Sequence, residues 1–267
     1  MQQRQEMSEI SSSLEKVASA LKRAERVAVL TGAGMSVASG LPTYRGIGGL
    51  YDGIEVEAGM PIEEILHAYT MARNPALTWK YIAQIGQACS AAEPNEGHRI
   101  LCAWERHFET YVITQNVDGF HRRAGSAHVT ELHGNFDDLF CSDCERRFMM
   151  ADFDFSNLPP RCTDCDGLVR PNVVLFGEML PPQALASYER ELAVGFNVIL
   201  AIGTTAGFPY IYEPVLSARQ RGTFTAEINP DDTELSAAVD VHLKMPAVDA
   251  LSMLEQQLSQ KAEPAAG

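Results

Sequence analysis

Val27-Ala28-Val29-Leu30-Thr31-Gly32-Ala33-Gly34-Met35-Ser36-Val37-Ala38-Ser39-Gly40 joins a short apolar run to a glycine-rich turn. The run reads as a buried strand. A glycine-rich turn between a strand and a helix lets backbone N–H groups approach a phosphate and aims a helix dipole at it. Its spacing, Gly-x-Gly-x5-Gly, is not the Gly-x-Gly-x-x-Gly of hydride-transferring dehydrogenases, and a tight strand-to-helix turn without a ligand would look similar.

Working outward, Ile10, Leu14, Val17 and Leu21 form the apolar stripe of a helix over residues 8 to 24. Pro61-Ile62-Glu63-Glu64 opens a helix, and Asn74-Pro75 opens another with Leu77, Tyr81, Ile85 and Ala88 on one face. Pro94-Asn95 starts a third, through Ile100 and Trp104, that leads into a strand at Tyr111-Val112-Ile113. Asn197–Gly203 and Thr223–Asn229 read as two further strands ending in glycine or polar residues. Strands alternating with helical stretches predict a doubly wound, Rossmann-like parallel α/β sheet.

After the Tyr111 strand come Thr114-Gln115-Asn116-Val117-Asp118-Gly119 and Glu131-Leu132-His133-Gly134-Asn135. Amides, a carboxylate and a histidine at a strand end point to a site. Then follows Cys141-x2-Cys144-x17-Cys162-x2-Cys165, the spacing of a tetrahedral zinc site with a hairpin between two knuckles. Four thiolates close the coordination shell, so the metal is structural. Two disulfides are the alternative, disfavoured in a chain that begins without the apolar core of an export signal. Cys89 and Cys102 read as buried core thiols.

The 267 residues are 46% hydrophobic and 21% charged, globular values with room for a large and a small domain. A formal charge of −14 argues against nucleic-acid binding, because phosphate contacts need a basic face, and suits either plain solubility or a basic partner. No run approaches the roughly 18 apolar residues of a membrane span. The expectation is a cytoplasmic protein without membrane or nucleic-acid partners.

Taken together, the ordered motifs resemble the sirtuins, NAD-dependent protein-lysine deacylases, in a bacterial-type single-domain form. Gly32-Ala33-Gly34-Met35-Ser36-x-x-Ser39-Gly40-Leu41-Pro42-Thr43-Tyr44-Arg45 looks like the family's cofactor loop. It is followed in family order by Gln115-Asn116-Val117-Asp118, His133, the four cysteines, Phe176-Gly177-Glu178, Gly203-Thr204-Thr205 and Asn229. The resemblance implies an NAD-binding domain of residues 1–45, 91–136 and 171–267. It also implies a small domain of residues 46–90 and 137–170, combining a helical module with the four-cysteine zinc module.

It implies that NAD is a co-substrate held by Gly32, Ala33, Gly34, Ser36, Tyr44, Arg45, Gln115, Asn116, Asp118, Gly203, Thr204, Thr205, Asn229 and Ala247. Tyr44 and Arg45 would sit on a covering loop, with Gly46-Ile47-Gly48-Gly49 as its hinge. Asp118 and Asn116 would hold the nicotinamide end while the acyl-lysine oxygen attacks the ribose carbon. His133 would be the general base that deprotonates a ribose hydroxyl, a task suited to a pKa near 6.5. Val174, Phe176, Gly177, Glu178 and Phe208 would contact the acyl-lysine peptide, the extended Val173–Glu178 segment by β-augmentation. His98 looks structural in the family.

Three departures stand out. Thr43 replaces an acidic residue common in the family. After Gly203-Thr204-Thr205 the chain runs Ala206-Gly207-Phe208-Pro209-Tyr210, which shifts the family's proline and adds two aromatics. Where members that accept acidic acyl groups carry a Tyr and an Arg three apart, this chain has Ile82 and Ile85, which favours acetyl or another neutral group. The competing functions are an NAD hydrolase or mono-ADP-ribosyltransferase sharing the first step, and a non-enzymatic NAD-sensing module.

Overall fold

The computed structural model describes residues 2–42 and 59–260, with side chains from residue 8 onward. Its strands are β1 (Arg26–Thr31), β2 (Glu109–Thr114), β3 (Val129–Glu131), β4 (Gly134–Cys141), β5 (Arg147–Met149), β6 (Val169–Val173), β7 (Val198–Ile202), β8 (Phe224–Ile228) and β9 (Val241–Leu243). Six of them form a parallel sheet in the order β3-β2-β1-β7-β8-β9. The chain builds outward from β1 in one direction, then returns to β1's other side with β7. The carboxyl ends of β1 and β7 are therefore the switch point where an open α/β sheet forms its binding crevice.

The sheet is apolar on both faces because its strands alternate about a buried plane. Val27 and Val29 face a cluster with Val198, Leu200, Leu101, Trp104 and Leu251. That side is covered by helices α1 (Gln2–Leu21), α5 (Glu96–Trp104) and α9 (Ala247–Ser259). Ala28 and Leu30 face the opposite cluster, with Ile199, Ala201, Tyr188, Ile211 and Val215. Those last three lie on α7 (Pro182–Val194) and α8 (Pro209–Gln220). A parallel, doubly wound sheet is thus the architecture, in agreement with the sequence.

A second, antiparallel sheet has the order β5-β4-β6 and carries the four cysteines at its far end. It shares one core with α2 (Ile62–Ile65), α3 (Ala68–Arg73) and α4 (Pro75–Ala91). Trp79 is fully buried in that core and donates its indole N–H to the Val169 carbonyl at 2.9 Å. Asn74 caps α4 by accepting the Leu77 N–H at 3.3 Å.

Several local expectations change. Among the described residues the Gly32 turn leads not into an α-helix but into two short 3₁₀ turns, Ala33–Met35 and Val37–Ser39. Their backbone is tied elsewhere, with Gly34 N–H donating to the Gly203 carbonyl at 2.9 Å and Asn95 Nδ2 donating to the Met35 carbonyl at 2.8 Å. The buried face of α4 is rotated, with Trp79, Ile82, Gly86 and Cys89 inside while Ala88 is exposed. Cys89 is buried as expected, but Cys102 is only half-buried. Strand β6 ends at Val173; beyond it Val174 N–H donates to the His133 carbonyl, and Phe176 exchanges backbone bonds with Leu66 and Ala68.

Candidate active site

The crevice at the switch point is a cavity of about 1160 Å³. Gly32, Ala33 and Gly34 reach it from the end of β1, Gln115 and Asn116 from β2, Gly203, Thr204 and Thr205 from β7, and Asn229 from β8. Ala247, at the start of α9, also lines it. The turn after β1 packs directly on the turn after β7. A Cβ on Gly34 would lie 2.7 Å from the Gly203 Cα, and Gly203 itself has φ +59°, so both positions demand glycine.

The polar groups along this floor are cross-braced. Gln115 Nε2 donates to Thr204 Oγ1 at 2.8 Å, and Asn229 Nδ2 donates to the Thr204 carbonyl at 3.0 Å. Asn116 Nδ2 donates to the Gly32 carbonyl at 3.0 Å and to Ser36 Oγ at 3.3 Å. Ser36 in turn donates to Asp118 Oδ2 at 2.6 Å, and the Phe120 N–H donates to Asp118 Oδ1 at 3.0 Å. Asp118 is 8% exposed. Burial pushes its carboxyl pKa up, against the two hydrogen bonds that favour the charge. Ser36, Asn116 and Asp118 border a smaller cavity of about 160 Å³, whose opposite wall includes Ile62, Tyr81 and Ile85.

His133 enters the large cavity from the turn between β3 and β4. Gly134, at φ +79°, permits that turn; a Cβ there would lie 1.9 Å from the Asn172 carbonyl oxygen. Burial lowers the imidazole pKa, offset in part by a hydrogen bond to the Gln115 backbone carbonyl. Its Nε2 lies 2.7 Å from the Tyr210 hydroxyl. Phe208 and Tyr210 stack on each other, 5.2 Å between centroids and 10° between planes, and each presents itself edge-on to the His133 ring at 6.0 Å. The aromatic departure noted in the sequence is therefore a wall around His133, a contact that residue spacing alone could not disclose.

Val174, Phe176, Gly177, Glu178 and Phe208 all line the large cavity. Glu178 is held inward, accepting from Arg170 Nη2 at 2.7 Å and from the Leu175 N–H at 2.9 Å. Sequence reasoning missed Leu66 and Phe136, which join Ile82, Ile85 and Val117 in an apolar side of the cavity. Their positions follow from the core that α2–α4 share with the antiparallel sheet, a long-range feature. Tyr44, Arg45, Thr43 and the Gly46–Gly49 run lie outside the described residues.

The four cysteine sulfurs lie within 4.8 Å of one another, Cys141 to Cys165 at 3.5 Å and Cys144 to Cys162 at 3.7 Å. Thiolates about 2.3 Å from a tetrahedral zinc stand about 3.8 Å apart, so the donor set fits zinc. None of the four cysteines lines either cavity.

A glycine-rich turn at the switch point of a doubly wound parallel sheet, together with four cysteines arranged to hold zinc, defines the class of nucleotide-binding α/β proteins with a zinc module. The model of the Sir2 family matches residues 32–208, and the chain belongs to that family. NAD-dependent protein deacylase 2 of Pseudomonas aeruginosa is 51% identical over 239 residues, 88% of this chain and 93% of the relative. A Sir2 homologue solved with 2′-O-acetyl ADP ribose superimposes with a TM-score of 0.84 at 35% identity, over 93% of this chain and 99% of that one. A Sir2 structure with a deacetylated p53 peptide and 3′-O-acetyl ADP ribose gives 0.82 at 26% identity, over 91% of this chain and 98% of that one.

Proposed function

We infer that the protein is an NAD-dependent protein-lysine deacylase acting on acetyl or another neutral acyl group. The observation that carries this reading is that Asn116 and His133, from the segments after β2 and β3, line the large cavity at the β1–β7 switch point, while Asp118, on the Asn116 segment, borders the smaller cavity that Asn116 also lines. NAD supplies an electrophilic ribose carbon with nicotinamide as leaving group. The glycine turns let the backbone come close to the cofactor's phosphates, and Asn229 and Ala247 border the adenosine half.

Asp118 and Asn116 fix the nicotinamide end, their orientations set by Ser36 and the Gly32 carbonyl. His133 accepts a proton on Nε2 from a ribose hydroxyl. A positioned base of this kind contributes roughly 10²–10⁴-fold, or about 3–5 kcal/mol of barrier. The acyl chain rests against Leu66, Ile82, Ile85 and Phe136, with no cation among these to meet a carboxylate. The peptide backbone lies along Val174–Glu178 opposite Phe208. Unpaired thiols in a metal-binding cluster suit a reducing compartment, and we place the protein in the cytoplasm. Among the described residues no helix is long and apolar enough to cross a membrane.

Incubation with NAD, with and without an acetyl-lysine peptide, followed by mass spectrometry of the products, tests the reading. Peptide-dependent nicotinamide release with acetyl-ADP-ribose is the expected result. Equal release without peptide would replace it with NAD hydrolysis, and bound but unconsumed NAD with a sensing module. His133→Ala should keep zinc and NAD binding and lose roughly 10²–10⁴-fold in turnover.

A further inference from the structure

The contact between Tyr210 and His133 goes beyond the general-base assignment. Neutral imidazole has one donor nitrogen and one acceptor nitrogen. Nε2 of His133 faces the Tyr210 hydroxyl at 2.7 Å, and hydrogen bonding to the Gln115 backbone partly offsets the lowering of the ring pKa by burial. For Nε2 to serve as the base, Nδ1 carries the N–H and Nε2 accepts from the phenol it faces. Burial raises the Tyr210 pKa to about 12, so the phenol is a neutral donor throughout the working range.

Tyr210 has little freedom to leave this pose. It stands at the first turn of α8, its carbonyl accepts from the Tyr188 hydroxyl at 2.9 Å, and its ring stacks on Phe208. The carboxylates on neighbouring segments are engaged elsewhere. Glu131 accepts from Arg122 and Asn135, and Glu178 from Arg170 and the Leu175 N–H. The phenol is thus the polar side-chain partner of the base nitrogen among the described residues.

We propose that Tyr210 is a positioning residue for His133. Its hydroxyl holds the imidazole as the Nδ1–H tautomer, with Nε2 turned to the cavity, and occupies that nitrogen until a ribose hydroxyl takes its place. One acceptor lone pair on Nε2 makes the two hydroxyls alternative partners. Phe208 acts through Tyr210 by fixing the plane of its ring. The proposal rests on His133 being the base, and it assigns a purpose to the Phe208-Pro209-Tyr210 departure from the family pattern.

Tyr210→Phe removes the hydroxyl and keeps the ring stack. A donor to the neutral form disfavours protonation, so its loss raises the His133 pKa. NMR titration of the His133 ring in the free, zinc-loaded protein, with His133→Ala identifying the resonance, should show the midpoint rising by about 0.5–1 pH unit in Tyr210→Phe. The acid limb of kcat/KM for NAD reports the free enzyme and should move upward by the same amount. Phe208→Leu should give a smaller shift of the same sign. An unchanged midpoint in Tyr210→Phe would overturn the proposal, as would a loss of kcat equal to that of His133→Ala, which would place the phenol in the chemistry itself. The titration needs no turnover, so it still decides the Tyr210 contact if the protein proves unable to deacylate.

Discussion

The six-stranded sheet and the small sheet that carries the four cysteines are held together by different physics. The sheet is buried on both faces, and its stability is spread over two clusters containing Val27, Val29, Leu200 and Trp104 on one side and Leu30, Ile199 and Ile211 on the other. The cysteine-bearing end of the small sheet has short strands, three residues in β5 and five in β6, and exposed Cys144 and Cys165. Its apolar core runs from Trp79, Ile82 and Leu139 to the buried Cys141 and Cys162 and leaves the other two cysteines outside it. A distributed core tolerates the loss of one member, whereas a coordination shell of four ligands does not.

The largest expected effect breaks the second region and spares the first. Removing zinc, or Cys162→Ser, should melt the β4–β6 end, since structural zinc in small finger peptides is linked to folding by about 10–16 kcal/mol. Strand β6 leads directly into Val174, whose N–H holds the His133 carbonyl, so activity should vanish with it. Hydrogen exchange should show β4–β6 amides unprotected while β1 and β7 stay protected. Leu200→Ala is the matching lesion in the sheet and should cost about 2–5 kcal/mol of global stability, read by denaturant unfolding, with zinc still bound. Equal loss of protection in β1 and β7 on zinc removal would show that the two regions fold as one.

Next in size is an acid effect confined to the sheet side. His98 and His121 are buried with ring centroids 4.7 Å apart. Burial, reinforced by Arg99, lowers the His98 pKa to about 4, and burial with His98 nearby lowers that of His121 well below its ordinary value. An unfolded histidine titrates near 6.5, so between about pH 6.5 and 4 the unfolded chain binds more protons. The stabilisation of the neutral form is complete above about 6.5 and is lost as pH falls toward about 4, by about 3 kcal/mol for His98 alone. His98→Gln keeps a side chain able to accept the Asn95 N–H, as His98 Nδ1 does at 3.2 Å, without a titrating ring. Unfolding measured across that range should fall less steeply for the variant; parallel curves would exonerate the histidine.

The same contrast explains what the sequence disclosed. Apolar runs such as Val27–Leu30 and Val198–Ile202 are legible because burial on both sheet faces is written in consecutive residues. The four cysteines are legible because metal geometry needs fixed spacing. Asn116 and Asp118 could be singled out because they follow the legible strand end at Ile113, and His133 because its His-Gly-Asn setting resembles the family motif. Three-residue strands β3 and β9 carry too little pattern to be read. The 3₁₀ turns after β1 escaped because Gly203 and Asn95, far away in the chain, decide them. Tyr210 was visible as a departure, but its grip on His133 spans 77 residues and exists only in the folded protein.

The smallest effect tests what holds the turn after β1 in shape. Asn95 performs two tasks with one side chain. Its Oδ1 accepts the Gly97 N–H at 2.9 Å and caps α5, while its Nδ2 donates to the Met35 carbonyl at 2.8 Å and Ser39 Oγ at 3.1 Å. Asn95→Ala removes both, and loss of a cap costs about 0.5–2 kcal/mol. Asn95→Asp keeps the acceptor but not the donor, so the cap survives and the tie to the 3₁₀ turn is cut. If the turn is braced chiefly through Asn95, the aspartate variant should unfold nearer to the wild type than the alanine variant does, yet bind NAD as weakly as alanine in calorimetry. Retained affinity in Asn95→Asp would show instead that the Gly34 bond to the Gly203 carbonyl suffices to hold the turn, making its shape a property of the β1–β7 junction.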